Sequence, residues 1–502
     1  MNTSRLHAAP GECRAAHFLD AGLPFAAALV LLAALIGCQP APRVDTEAAA
    51  AMGDAIGLPD AVQFRKLGAD GAPLDEPAEA GQLTLATAMQ RSVLTDPSLQ
   101  AALARVRIAV ADSDQARLLP NPVMFVVVRW GAGSPQVEAS FVQDFMQALQ
   151  IPRRASAADN RLRAAAADAV TVALDVAAEV QQRYAAAQSA SALVPALRAR
   201  MQVVERMAAI ADDRLSVGEA GAGDVATLGA QRVSLQVDID TAVLAEREAR
   251  IRLARAIGEP SSVADWRLDP WTPPPADPQP ESAWVNVALA RRPEIQAIAW
   301  KLAALGDDKA LAHLLPWDED DALLPLPNPW EPASAGVDFQ KQDGSAIGPS
   351  FATPVPIFDM GQARRARVTA EVQEARHDLL NTRRQVIEEV RTAYQTLLAS
   401  AANQRRIREQ LLPLQERRRS IADAAYRVGE SDVTTLFLAE HDLQLAQAQV
   451  IAVELQASNA RVRLQRAVGG AAAERSLAGA VTAAPGMPSD NVQLSTLEKV
   501  QP

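Results

Sequence analysis

Histidine and cysteine are the residues best suited to nucleophilic or metal chemistry, and this chain of 502 residues has five of the first and two of the second. None is placed to react. His313, His377 and His441 stand apart on helical sequence, and Cys13 and Cys38 lie far upstream of them. No histidine neighbours a cysteine or a carboxylate pair in a motif, and no phosphate loop or dinucleotide fingerprint occurs. An enzyme is therefore not expected, nor a metal site or a bound cofactor. The residues that do cluster are carboxylates: Asp212, Asp213, Glu219 and Asp224, then Asp423, Glu430 and Asp432. Each group surrounds a Val-Gly turn, Val217-Gly218 or Val428-Gly429. Copies arranged about an axis would turn each carboxylate into a ring, and carboxylate rings favour cations. A solvated charged turn is the plainer alternative.

The two cysteines belong to a leader. An apolar run from Phe25 to Ile36 is too short to span a bilayer and suits a signal-peptide core. It ends in Leu35-Ile36-Gly37-Cys38, which resembles the bacterial lipobox, whose cysteine receives lipid and becomes the new N-terminus. A secretory signal with a chance cysteine is the alternative. Residues 1–37 are thus expected as a lipoprotein signal peptide and Cys38 as the lipidated residue, its lipid the one covalent group. Gln39, where an Asp would signal retention, points to outer-membrane sorting. Several acyl chains hold a protein on a membrane stably. No stretch after residue 38 reads as a transmembrane helix, so any crossing would have to use β-strands.

The elements that would position the acidic turns are written twice. "ARIRLARAIG" (249–258) returns as "ARVRLQRAVG" (460–469), an offset of 211. "DPSLQA" (96–101) matches "RPEIQA" (292–297) at an offset of 196, and "EVQQRY", ending at Tyr184, matches "EVRTAY", ending at Tyr394. The composition is 49% hydrophobic but only 4% aromatic, and rich in strong helix formers. The net charge of −11 argues against a nucleic-acid partner. Each half predicts an opening helix (about 83–118 and 283–315), a Pro-rich corner and two β-like segments (123–130 with 136–143, 335–340 with 346–356). A very long helix follows (153–213, 361–426), then the Gly turn and a return helix to Gly258 or Gly469. Pro195 and Pro413 predict kinks or breaks in the long helices. The spacing of Leu436, Ala439, Leu443, Ala446 and Val450 is that of a close-packed coiled coil.

The expected domains are a linker (38–80), a first repeat (81–260), a Pro-rich linker (261–282), a second repeat (283–470) and a disordered tail (471–502). The extra residues of the second half fall between Pro316 and Arg364 and include an acidic insertion at about 317–331. Four strands cannot close a barrel, so strands in a membrane would have to be pooled between chains. The fold class expected is mainly α with a small β part.

The stretch "PVPIFDMGQARRARVTAEVQEA" (354–375) resembles the TolC family of outer-membrane efflux channels, at Pro356, Ile357, Phe358, Asp359, Gly361 and Arg364. "LLPNP" (118–122) is similar to that family's lead into its first strand pair, and "YRVGESDV" (426–433) to its hairpin tip. The first half departs, with "LQIPRRAS" for the Phe-Asp phrase and Leu215 for the tip tyrosine. The resemblance implies long helical hairpins forming a trimeric α-barrel, capped by a transmembrane β-barrel of twelve pooled strands. It implies a lipid-anchored homotrimer of the bacterial outer membrane that extends into the periplasm. Its partners would be outer-membrane lipid, a periplasmic adaptor protein and an inner-membrane efflux pump, for metal cations or small toxic compounds. The adaptor would dock at Val217, Gly218, Val428 and Gly429, whose glycines also simply permit the turn. Candidate entrance rings are Asp212, Asp213, Asp224, Asp423, Glu430 and Asp432. Arg364, Arg365 and Arg367 would sit at the inner membrane interface. Two rival functions are a periplasmic coiled-coil scaffold lipoprotein without a pore and a type I protein-secretion exit channel.

Overall fold

The computed structural model describes residues 44–59, 61–64, 81–130, 135–218, 221–260, 264, 266–271, 280–314, 334–341, 345–352, 357–358, 360–431 and 433–475. Cys38 and the signal peptide, Asp359, Glu219, Asp432, the insertion 317–331 and most of the tail lie outside these residues.

Each repeat opens with two helices where one was expected. They are α2 (Leu85–Thr95) and α3 (Pro97–Ala116), then α6 (Glu281–Arg291) and α7 (Pro293–Leu311). The cause is local: a residue before proline is pushed out of the helical region. Asp96 (ψ 121°) and Arg292 (ψ 123°) are accordingly extended. Asp96 also caps α3, its carboxylate accepting from the Ser98 and Leu99 amides at 2.8 and 3.1 Å.

Strands β2 (Val123–Arg129) and β3 (Gln136–Asp144) follow α3, and β5 (Ser334–Lys341) and β6 (Ser345–Ala352) follow α7. They form one antiparallel sheet in the order β2-β3-β5-β6, leaving β2 and β6 as open edges. A two-residue parallel pairing of β1 (Gln82–Leu83) with β4 (Arg267–Leu268) ties the start of the first repeat to the segment after it.

Helix α4 (Phe145–Ser216) runs unbroken for 72 residues, on the order of 110 Å at 1.5 Å per residue. It carries Pro152 and Pro195 inside it, so of the kink or break expected at Pro195 the break does not occur. Buried Val194, Met201 and Val204 flank the site, and packing outweighs the single hydrogen bond that proline removes. The second long helix is jointed. Helix α8 (Gln362–Arg406) passes into a π turn (Ile407–Leu411) before α9 (Leu412–Arg427), with Pro413 just beyond. The cause is countable: Tyr184 to Gly218 is 34 residues, Tyr394 to Gly429 is 35. A π turn is the usual way a helix absorbs one inserted residue.

The return helices are α5 (Ala222–Ala256) and α10 (Val433–Ala467). Both end on a left-handed glycine, Gly258 at φ +83° and Gly469 at φ +99°. The Glu259 amide donates to Ala254 O at 2.8 Å and the Gly470 amide to Gln465 O at 2.9 Å, closing both ends alike. A Cβ on Gly258 would lie 2.2 Å from Thr95 Oγ1, and one on Gly469 would lie 3.2 Å from Arg291 O. Thr95 and Arg291 each end the first opening helix of their repeat. The duplicated phrase is the same joint built twice.

The hairpin helices lie side by side as a ribbon in the order α5, α4, α10, then α8 with α9. Leu436, Ala439, Leu443 and Ala446 are buried in it, as their spacing predicted. Helix α7 packs against α4 and α8, and α6 against α8. The main cores centre on Leu99, Val106, Leu174 and Leu253 in the first repeat and on Trp284, Val390 and Leu464 in the second. Three expected linker or tail segments contribute to these cores. Residues 38–80 contain α1 (Val44–Ile56), whose Met52 is fully buried against the first core. Residues 261–282 bury Trp266, and 471–475 form a helical turn that buries Ala473.

Candidate functional site

Two places could carry a function: the sheet and the hairpin tips at the opposite end of the ribbon. Strand pairing sorts the sheet into unlike faces. On one face Val126 lies opposite Ala139, Ala139 opposite Phe339 and Phe339 opposite Ile347. Met124, Phe141 and Val337 form the neighbouring row. Met124, Val126, Phe141, Val337, Phe339 and Ile347 are all exposed in the single chain. The other face carries Arg129, Glu138, Ser140, Asp338 and Gln340, alongside Val123, Phe125, Val127 and Val142. There Glu138 pairs with Arg129 at 2.5 Å, and Gln340 reaches Glu138 at 3.5 Å. The continuous apolar run of β2 hides this two-sidedness in sequence, and cross-strand register reveals it. Such a sheet suits a barrel with an apolar outside and a polar lumen.

At the other end the two turns are built alike. Gly218 and Gly429 have φ of +80° and +78°, and a Cβ on either would meet nothing. Val217 and Val428 are each 70% exposed at the two tips. The turns differ in what anchors them. Tyr426 is buried among Met207, Ala211, Leu228 and Leu436, and the Arg214 guanidinium lies 4.6 Å from its ring centre. The tyrosine thus locks the second hairpin onto the first, and Leu215, its counterpart, is exposed.

The acidic residues separate by environment. Asp212, Asp213 and Glu430 are exposed. Asp224 accepts from the Gly221 amide at 3.4 Å at the start of α5, and Asp423 pairs with Arg427 at 2.9 Å. Two of the candidate ring residues are therefore already engaged within their own hairpin. Of the arginines after β6, Arg367 is exposed and bonds Glu371 at 2.9 Å.

Sequence alone missed the polar contacts between hairpins. His441 is not isolated: Arg200 on α4 donates to its Nδ1 at 2.7 Å. Burial lowers Arg200 from its ordinary value, against the pull of Asp238 and Glu440. Further up, Asp307 on α7 is buried and receives Arg153 at 3.0 Å and Ser156 at 2.6 Å, joining the repeats. A groove of about 990 Å³ between α4, α8 and α10 is lined by Asp175, Arg292, Glu294, Glu389 and Arg466 among others. Glu294 accepts from Arg292 at 2.9 Å and from Arg466 at 2.7 Å. Burial pulls its carboxyl upward, but these two arginines prevail and hold it below the ordinary 4.5. Among the described residues no three His, Cys, Asp or Glu side chains gather as a metal site would require.

Residues 329–470, most of the second repeat, match the family model described as outer membrane efflux protein. Beyond that segment, the comparison with solved structures shows a shared fold over up to 82% of the chain. Its fold is similar to the outer membrane protein VceC of Vibrio cholerae, at 19% identity and a TM-score of 0.63, covering 77% of this chain and 96% of that one. It is similar to CusC, described in terms of transmembrane channel formation, at 14% identity and a TM-score of 0.63, covering 82% and 99%. The open-state outer membrane channel MtrE of Neisseria gonorrhoeae follows at 15% identity and a TM-score of 0.60, covering 77% and 89%. No curated protein sequence matches the chain.

Proposed function

We propose that this protein is the outer-membrane exit duct of a tripartite efflux system, a homotrimer anchored by lipid on Cys38. The observation that carries the proposal is the two-faced sheet with two unpaired edges. Backbone groups at an open edge have no partner in hydrocarbon, so a sheet of four strands must close with copies of itself. The alternating directions of β2-β3-β5-β6 place β6 antiparallel to the β2 of a neighbour, as a closed barrel requires. Three copies supply the twelve strands of the resembling family. The apolar face then meets lipid, and the face with Glu138, Arg129 and Asp338 lines the lumen.

The helical ribbon continues this duct into the periplasm. The exposed valines at the tips, on rigid left-handed turns, are the docking points for a periplasmic adaptor that joins the duct to an inner-membrane pump. Exposed Asp212, Asp213 and Glu430 line the entrance and favour metal cations or other positively charged small compounds. The scaffold reading gives no account of a two-faced sheet with two open edges.

Size-exclusion chromatography with and without detergent, followed by planar-bilayer recording, tests the duct. A detergent-dependent trimer that conducts ions is expected. A monodisperse, elongated species without detergent and without conductance would establish the scaffold instead.

A further inference from the structure

We propose that the segment after the first repeat is a strap that clasps the joint of the second hairpin and restrains its swing. Residues 266–271 leave the β1–β4 pairing and cross α4. Tyr184 donates to Leu83 O at 2.8 Å and accepts from the Asp269 amide at 3.2 Å, while Gln188 donates to Asp269 O at 2.7 Å. The strap is thereby fixed to the first hairpin. Its last described residue, Trp271, reaches the second: the indole Nε1 donates to Glu454 Oε2 at 2.7 Å. Glu454 lies on α10 with a side chain only 2% exposed, and its other oxygen accepts from Arg408 Nε at 2.6 Å.

Arg408 is inside the π turn. That turn and Pro413 together make the weakest point in the long helix, because the regular ladder is broken and the proline contributes no amide donor. Helix α4 holds Pro152 and Pro195 without a π turn, so the continuous hairpin and the jointed one differ. A buried carboxylate needs its partners, so removing one leaves the others poorly satisfied. The chain Gln188, Asp269, Trp271, Glu454, Arg408 therefore links the continuous hairpin to the π turn of its neighbour. Releasing it frees α9 and the lower part of α10 to move away from α4, against the Tyr426 anchor at the tip.

The inference rests on the duct reading for its functional consequence, and its structural half can be tested without conduction. Trp271→Phe keeps the packing and removes the donor; Glu454→Gln keeps the shape and removes the charge. Purified full-length protein carrying spin labels at Ser216→Cys and Thr434→Cys reports the separation of the hairpins. Each variant is expected to broaden that distance distribution. Each should also raise the open fraction in bilayer recordings by about fivefold, the equilibrium weight of one net hydrogen bond. Arg408→Lys, which keeps the charge, should stay near the parent. If Glu454→Gln fails to assemble, Trp271→Phe decides alone. Parent-like distances and open fraction in Trp271→Phe overturn the clasp. A parent protein that never conducts overturns the duct, while the distances still judge the clasp.

Discussion

Tyr184 and Tyr394 occupy matching phrases, yet the structure gives Tyr184 a definite task, bridging Leu83 and Asp269 from a buried position. Burial chiefly, with the nearby Asp269 charge, raises its hydroxyl above the ordinary 10.0, although the Asp269 amide pulls the other way. Tyr184→Phe leaves two backbone groups without their partner and should cost about 1–3 kcal/mol in denaturant unfolding. Glu294 acts with the opposite sign. Its carboxyl is held below the ordinary 4.5, so its stabilisation is present above that pH and is lost as pH falls through the lowered value. Thermal melts should therefore show an acid-side loss beginning below about pH 4.5. Glu294→Gln should reduce that loss, and an identical pH profile would show that the cluster does not matter to stability. Neither role was legible in sequence, because partners such as Tyr184 and Asp269, or Glu294 and Arg466, are set by packing. The exposed valines, by contrast, were legible, since a doubled Val-Gly turn stands out in any alignment of the chain with itself.

At the scale of elements, the two glycine types separate. Gly258 and Gly218 share a positive φ, but only Gly258 has Thr95 where a Cβ would go. Gly258→Ala should therefore cost more than about 1 kcal/mol and more than Gly218→Ala, by equilibrium unfolding of the two variants side by side. Equal costs would mean that φ alone governs both positions. The existence of the long and return helices, the strand positions and the duplication were readable from periodicity and from the repeats. The opening helices were misjudged because proline acts through its neighbour. Pro97 and Pro293 split the opening helices because the preceding residue must be extended, whereas Pro195 is absorbed by the packing of α4. The π turn was countable from the spacing of Tyr394 and Gly429, but only the coordinates show that the extra residue is taken up there.

For the whole molecule, the exposed tips predict a partner. Val217→Asp with Val428→Asp should abolish adaptor capture, measured by co-purification, while leaving the detergent-dependent trimer intact. Retained capture would move docking elsewhere on the ribbon. By itself the sequence determined the class of the chain: a duplicated set of long Ala-rich hairpins, four strands and a lipobox-like leader allow few architectures. The tertiary structure decided what each face does. The continuous valines of β2 read the same from either side, and only pairing with β3 assigns Val126 to the apolar face and Arg129 to the polar one. The acidic tips read as equivalent, and only folding spends Asp224 on a helix start and Asp423 on Arg427. The physical reason is common to both. Periodicity is local and survives in one dimension, whereas register and pairing depend on residues brought together from distant parts of the chain.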